Sequence, residues 1–192
     1  MAASGANRLC HRGSCGRGRS GCLSGAGDRC RAARPARWAA DRPLGPLSID
    51  IDAPRDVVFA VVAAPYADRV PKAMRQKVRV LERGSDMVLA AHYTPIAGRL
   101  RATTVETVRF QRPSRVHFSL VRGPVPYVKE TFDLDEDDGQ TVLSYHGELA
   151  TDLWAPGRWW GNVVAARWEA VVSSSFDTIK EQAERRGKER GV

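Results

Sequence analysis

The order of the segments along the chain constrains the fold more than any other feature of the sequence. One strand, "LSIDIDAP", is followed by two short helical pieces, six further strand-like runs and a single long helix at the C-terminal end. A long helix lying across a curved antiparallel sheet is the simplest packing of this order, since the sheet has one apolar face to cover. The sequence therefore predicts an α+β fold with a seven-stranded curved antiparallel sheet wrapped around the C-terminal helix.

The individual elements follow from apolar periodicity and from Gly and Pro punctuation. The first strand begins at Leu47, a helix starts after Pro54 and ends at Pro65, and the turn-rich segment 66–72 supplies a second short helical piece. The six later strands are predicted at 76–84, 86–98, 99–113, 114–123, 126–134 and 140–150. With the closing helix, the predicted domain covers residues 47–187, and residues 188–192 are a frayed charged end.

Residues 1–46 differ from the rest of the chain in composition. They hold nine arginines and two aspartates, a net charge of +7 (9 − 2), so the remainder of the +8 chain carries +1. With almost no large apolar residue, this segment cannot offset its ordering entropy, and we expect a disordered basic tail. We interpret it as a mis-called start or a functionless tail, with an organellar transit peptide as the alternative.

The cysteines and the charge of the body exclude several classes of function. All four cysteines lie in the tail without a close Cys pair, so neither a zinc site nor a disulfide framework is expected. The body has no phosphate-binding glycine loop, no nucleophile motif, no His-carboxylate metal spacing and no apolar run of about 20 residues. We therefore expect no cofactor, no metal, no transmembrane segment and no nucleic-acid partner for the folded domain. The expected location is cytoplasmic, or an organellar matrix if the tail is a transit peptide.

Two strands and the long helix direct charged side chains towards the predicted interior. Alternation on the third of the six later strands turns Thr104 and Glu106 inward with its apolar residues, and the fifth strand does the same for Glu130. At 100° per residue, the inner sector of the long helix includes Arg167. Since a charge is not buried alone, an arginine flanked by carboxylates is the expected arrangement.

These charged residues support three interpretations. Arg167 with Glu106 or Glu130 could anchor the polar end of an apolar ligand, or a desolvated carboxylate could act as general acid or base. The third possibility is a structural ion pair, or a bulge that returns the groups to water. The predicted ligand-binding residues are Thr104, Glu106, Phe110, Phe118, Tyr127, Glu130, Phe132, Trp160, Val164, Arg167, Trp168 and Val171. The catalytic candidates among them are Glu106, Glu130 and Arg167.

The histidines and tryptophans complete the candidate set. His92, His117 and His146 are predicted to face outward, because the alternate positions on their strands are more apolar. Trp160 and Trp168 fall in or beside the inner sector of the helix. They could form the lid of a ligand cavity, or they could simply be a heavy core face.

Residues from about 47 to 186 resemble the helix-grip fold of the START/SRPBCC superfamily, in particular its polyketide cyclase/dehydrase and coenzyme Q-binding-protein branch. The resemblance rests on "IDIDAPRDVVFAVV", "PKAMRQKVRVLER", "VRGPVPYVKETFDLDEDDGQTVLSYHGEL" and the closing Trp-rich helix. It implies an apolar cavity between sheet and helix, which family members use to bind lipids, quinones, polyketides or hydrophobic hormones. A minority of members cyclise or aromatise polyketides.

One segment departs from the family pattern. The tryptophan common after the first helix is missing from "APYADRVPKA", and Tyr66 and Val70 are expected to take its place. The favoured function is binding or carrying a small hydrophobic ligand, such as a lipid, a quinone or a polyketide-like molecule. The alternatives are a polyketide or aromatic cyclase that uses Glu106, Glu130 and Arg167, and a protein-interaction module without turnover.

Overall fold

The computed structural model describes residues 40–97, 100–151 and 155–190. The predictions for residues 1–39, which include all four cysteines, lie outside the described residues. The elements are β1 (Ala40–Ile51), α1 (Arg55–Ala63), a 3-10 turn (Ala64–Tyr66), α2 (Lys72–Arg75), β2 (Val78–Arg83), β3 (Met87–Ala97), β4 (Leu100–Gln111), β5 (Arg115–Arg122), β6 (Tyr127–Asp137), β7 (Gln140–Thr151) and α3 (Ala155–Arg190).

The seven strands form one antiparallel sheet in the order β1-β7-β6-β5-β4-β3-β2. Strands β2 to β7 follow one another as hairpins, and the first strand closes the sheet by pairing with the last. Helix α3 packs against β1, β7 and α1. This is the helix-grip architecture, and it confirms the predicted α+β fold with two short helices after the first strand.

Strand β1 is longer than the sequence predicted. It begins at Ala40 and not at Leu47, and its first part pairs with β7 as far as Leu44, which is 1% exposed. Gly45, with φ of 76°, and Pro46 form a bulge between the two paired parts. The prolines and glycine of this stretch suggested a tail, but proline is tolerated on an edge strand, and β1 is an edge. Strand β1 therefore begins seven residues before the predicted start of the domain at Leu47.

A chain of aromatic rings lies between the sheet and the helices. Neighbouring ring centroids lie 5.2–6.5 Å apart and the rings are tilted or edge-to-face. Such pairs contribute about 0.5–1.5 kcal/mol each beyond their buried area. In spatial order the rings are Phe59, Phe110, Tyr66, Phe118 and Phe132, with Tyr145 and Phe176 both against Phe132.

The buried face of α3 is rotated by about 80° from the predicted sector, at 100° per residue. Its buried residues are Gly157, Gly161, Val164, Ala165, Val172, Phe176 and Ala183. Trp160, Arg167 and Val171 were predicted to face inward but are exposed. The prediction gave weight to bulky side chains, whereas the small ones face the sheet here. A Cβ atom added at Gly161 would lie 3.1 Å from Cγ2 of Thr151, so the helix approaches β7 closely here and a larger residue would require Thr151 to shift.

The C-terminal half of α3 is tied to β1 and α1. Lys180 Nζ donates to the carbonyl oxygen of Asp50 at 2.7 Å, and Glu184 accepts from the backbone N–H of Asp52 at 3.3 Å. Arg190 Nη1 donates to Asp56 at 3.2 Å. The helix continues through Arg190.

Candidate functional site

Two glutamates are buried on the inner face of the sheet, as predicted. Glu106 on β4 is 4% exposed and Glu130 on β6 is 7% exposed, and Thr104 is equally buried. Strand β5 lies between them, with Leu120 opposite Glu106 and Phe118 opposite Glu130. Alternation along β4 and β6 turns both carboxyl groups to the side that α1 and α3 cover. A buried carboxyl is costly without hydrogen-bond partners, and each has them.

Glu106 ends a short hydrogen-bonded chain of side chains. His92 Nδ1 lies 3.0 Å from Glu106 Oε2, and the Tyr66 hydroxyl lies 3.1 Å from His92 Nε2. The arrangement assigns Nδ1–H as the donor to Glu106 and the Tyr66 hydroxyl as the donor to Nε2. Burial, followed by repulsion from Glu106 and Glu130, raises the pKa of Tyr66 well above its usual value, so Tyr66 keeps its proton.

The inward position of His92 contradicts the prediction that it faces outward. His92 pairs with Thr104 across β3 and β4, so both side chains share the inner face. Sequence alternation failed because Ala90 and Ala91 are adjacent, small and both buried, and they mark neither face of β3. Tyr66 is buried, as expected of the residue that replaces the missing tryptophan, while Val70 is only half-buried.

Glu130 is held by two donors from different elements. The Tyr145 hydroxyl on β7 donates to Glu130 Oε1 at 2.7 Å, and Trp168 Nε1 on α3 donates to the same oxygen at 2.5 Å. Burial raises the pKa of Glu130 to about 7; the negative charge of Glu106 adds to the rise, and the two hydrogen bonds oppose it. Glu130 therefore exists in both protonation states near neutral pH.

A glycine lies directly beside Glu130 on the neighbouring strand. Gly147 is the partner of Glu130 across β6 and β7. A Cβ atom there would lie 2.8 Å from the Lys129 carbonyl oxygen and 3.3 Å from Glu130 Cγ. The missing side chain lets β7 approach β6 closely at this point.

Substituting Gly147 by alanine is expected to destabilise the fold by about 1–3 kcal/mol, the usual cost of overpacking. The added methyl group meets the backbone of β6, which cannot move as a flexible side chain could. Urea unfolding measures the loss. Gly84→Ala is the matched control, since its added Cβ would lie at an ordinary 3.4 Å from its nearest neighbour. Equal losses in the two variants would contradict the close packing at Gly147.

The remaining predicted site residues divide into two groups. Phe110, Phe118 and Phe132 belong to the inner aromatic chain. Their side chains therefore point inward, as predicted. Tyr127 was predicted to line the site, but it lies on the outer face: its hydroxyl donates to Glu148, and Lys129 Nζ lies 5.6 Å from its ring centroid. Val128, the next residue on β6, is buried on the inner face, and neighbouring side chains on a strand point to opposite faces.

On α3, Val164 is buried and Trp168 is half-buried against the core, in agreement with prediction. Trp160 is 42% exposed, and its Nε1 donates to the Pro124 carbonyl oxygen at 2.8 Å, which links the helix to the loop before β6. His117 and His146 face outward as predicted. His117 contacts Thr131 at 3.0 Å, and His146 lies 3.5 Å from Asp133.

Arg167→Ala is expected to leave the free energy of unfolding within about 0.5 kcal/mol of the wild type, because the side chain is exposed. Thermal or urea unfolding measures this difference. A loss of several kcal/mol would show that Arg167 compensates a buried carboxylate after all, as the sequence suggested. Replacement of the exposed Arg75 on α2 by alanine is the matched control.

Within the described residues there is no group of three or more His, Cys, Asp or Glu side chains that could hold a metal ion. None of the described helices is long and apolar enough to cross a membrane.

The sheet that grips a long helix, with acidic and aromatic side chains on its inner face, defines a protein of the helix-grip fold. The chain belongs to the family described as "Polyketide cyclase / dehydrase and lipid transport", whose model matches residues 47–184. A search of curated protein sequences found no match.

Solved structures with the same fold include several aromatase/cyclases. Zhui aromatase/cyclase from a Streptomyces species matches with a TM-score of 0.63 and 20% identity, over 77% of this chain and 96% of that one. A START superfamily protein from Mycobacterium smegmatis matches with a TM-score of 0.51 and 12% identity, over 77% and 99% of the two chains. The di-domain aromatase/cyclase BexL matches with a TM-score of 0.55 and 18% identity, over 77% of this chain and 50% of its own length.

Proposed function

We propose that the protein binds a small, mainly apolar ligand with an oxygen function between the sheet and α3, and that Glu130 contacts the polar end of this ligand. The observation that carries the proposal is the burial of two carboxyl groups on an inner face that is mainly aliphatic and aromatic. Structural stability alone does not require them, since hydrophobic residues of similar volume are often neutral or stabilising in such positions.

The geometry around Glu130 supports a role in ligand contact. Tyr145 and Trp168 both donate to Oε1 and hold the carboxyl group in one orientation. Gly147 keeps the neighbouring position on β7 free of a side chain. The rings of Phe118 and Phe132, with centroids 5.2 Å apart, form an apolar wall next to the carboxyl group. A ligand with an aromatic body and a carbonyl or hydroxyl group matches these surfaces.

Acid–base catalysis on a polyketide-like substrate is the second candidate function. It is favoured by the pKa of Glu130, raised to about 7, because a group that titrates near the working pH is an efficient proton donor and acceptor. In such a reaction, protonated Glu130 would donate to a ligand carbonyl oxygen, and its carboxylate form would take a proton from a neighbouring carbon. The Tyr66–His92–Glu106 chain would supply a second polar contact to the substrate.

The test begins with native mass spectrometry of the protein purified gently from its own host, followed by extraction of any bound molecule. Binding of the neutral probe N-phenyl-1-naphthylamine, detected by energy transfer from the tryptophans, provides a second measurement. We expect one ligand per chain, and probe binding that Phe118→Ala alters while the exposed Val121→Ala does not. A protein that is empty and takes up no probe would contradict binding and would favour an interaction module.

Catalysis is tested separately with the extracted ligand and its synthetic analogues. Chemical conversion that is lost in Glu130→Gln, with ligand binding retained, would support the acid–base role. Binding without conversion, in the wild type as in the variant, would leave the carrier function and contradict catalysis.

A further inference from the structure

A cleft of about 210 Å³ lies away from Glu130, where the end of β7 meets β1 and the first two turns of α3. Its polar side chains are Arg42, Thr151, Arg158 and Asn162, and its apolar walls are Pro43 and Leu149. Nothing in the proposed function uses these residues. The cleft belongs to the same inner side of the sheet, but it lies four residues further along β7 than Gly147, the partner of Glu130.

Two buried polar atoms in this cleft have no hydrogen-bond partner among the residues that the structure describes. They are Nε of Arg42 and Oγ1 of Thr151. Thr151 is only 3% exposed, and a buried hydroxyl group without a partner is costly. The Arg42 guanidinium is held in place by its Nη1, which donates to Asn162 Oδ1 at 2.8 Å. Its Nε–H is therefore a fixed donor that lacks an acceptor.

The charge around the cleft selects an anion. Arg42 and Arg158 contribute two positive charges to its lining. The cleft also lies at the N-terminal end of α3, where the helix dipole favours negative charge. Asn162, whose Oδ1 is used by Arg42, still has its amide hydrogens to donate. Arginine and hydroxyl donors converging in this way are typical of phosphate recognition.

We propose that this cleft is a binding site for a phosphate monoester, with the phosphate on Arg42, Thr151 and Arg158 and the organic substituent against Pro43 and Leu149. Both atoms are covered in this structure, so the charged oxygens would satisfy Arg42 Nε and Thr151 Oγ1 once the cleft opens locally to admit the ester. The cleft volume accommodates a phosphate group and a ring-sized substituent. The same chemistry is presented by a small phosphate ester in solution and by the headgroup of a phospholipid such as phosphatidic acid.

Titration calorimetry with phenyl phosphate, with phenol as the uncharged comparison, tests the site in solution. Co-sedimentation with phosphatidylcholine vesicles, with and without phosphatidic acid, tests the lipid source. The variants are Thr151→Val and Arg42→Gln, with Arg75→Gln on α2 as a control of equal charge change. We expect binding to at least one phosphate form, weakened about tenfold or more in the two cleft variants and unchanged in the control.

Thermal unfolding separates a lost contact from a damaged fold. Valine has the shape of threonine, so Thr151→Val without ligand is expected to melt at the same temperature as the wild type or higher, because it removes an unsatisfied hydroxyl. Phenyl phosphate is expected to raise the melting temperatures of the wild type and of Arg75→Gln, and to raise those of the two cleft variants much less. Absence of binding to both phosphate forms, or equal binding in all variants, would overturn the proposal. Neither result would affect the proposal for Glu130, because Glu130 does not line the cleft. Ligand binding near Glu130 is tested separately with the uncharged probe N-phenyl-1-naphthylamine.

Discussion

Glu130→Gln is expected to be more stable than the wild type at alkaline pH and to lose that advantage on acidification. The pKa of Glu130 is raised from 4.5 to about 7 in the folded protein, mainly by burial. Between these values the folded state binds the proton more tightly than the unfolded chain, so the stability of the wild type falls as the pH rises. At 1.36 kcal/mol per pH unit, the difference between variant and wild type should grow by about 3 kcal/mol from pH 4 to pH 8.

Glutamine suits this comparison because its side-chain oxygen can still accept from Tyr145 and Trp168. Urea unfolding at several pH values gives the difference directly, and other carboxyl groups cancel because both proteins contain them. Glu82→Gln, on the exposed edge strand β2, is the matched control and should show a flat difference. A flat difference for Glu130→Gln as well would mean that the pKa of Glu130 is the same in the folded and unfolded states.

Phe132→Ala is expected to cost about 3–5 kcal/mol of folding free energy, the range for truncating a buried phenylalanine. Phe132 is 8% exposed, and its ring contacts Phe118 on β5, Tyr145 on β7 and Phe176 on α3. Its removal therefore breaks the contact between the sheet and the helix at the centre of the aromatic chain. A loss of this size is a large part of the total stability of a domain.

Chemical denaturation followed by circular dichroism measures the loss, and Val121→Ala, at a 61% exposed position, should stay within about 0.5 kcal/mol of the wild type. The space left by the ring lies next to Glu130, so the variant should also bind N-phenyl-1-naphthylamine differently. A cost below about 1 kcal/mol would mean that the inner face collapses freely around the missing ring and is less well packed than the ring contacts indicate.

The order of the elements could be predicted because strands and helices differ in apolar period, and glycine and proline mark most of their ends. The first half of β1 could not. Its prolines and Gly45 look like a linker in the sequence, and only pairing with β7 makes the segment a strand. Such pairing joins residues about a hundred positions apart, which no local pattern reveals.

The candidate site was predictable where strict alternation fixed a side chain, as it did for Glu106 and Glu130. The predicted direction of the His92 side chain was wrong, because the two adjacent buried alanines, Ala90 and Ala91, hide the alternation of β3. Arg167 was misplaced because the helix meets the sheet through Gly161 and Ala165, and small residues carry little weight in a pattern of hydrophobicity. The partners of Glu130 come from β7 and α3, and this meeting depends on the tertiary fold.

The attachment of α3 along its whole length has a consequence for its motions. Lys180, Glu184 and Arg190 fasten the second half of the helix. In the first half, Trp160 contacts the loop before β6, Asn162 contacts β1 and Trp168 contacts Glu130. Local opening at either end breaks such contacts, so amide hydrogens on both sides of Val172 should exchange slowly with solvent. A ligand that reaches Glu130 from beneath α3 would first have to displace the hydrogen bond from Trp168.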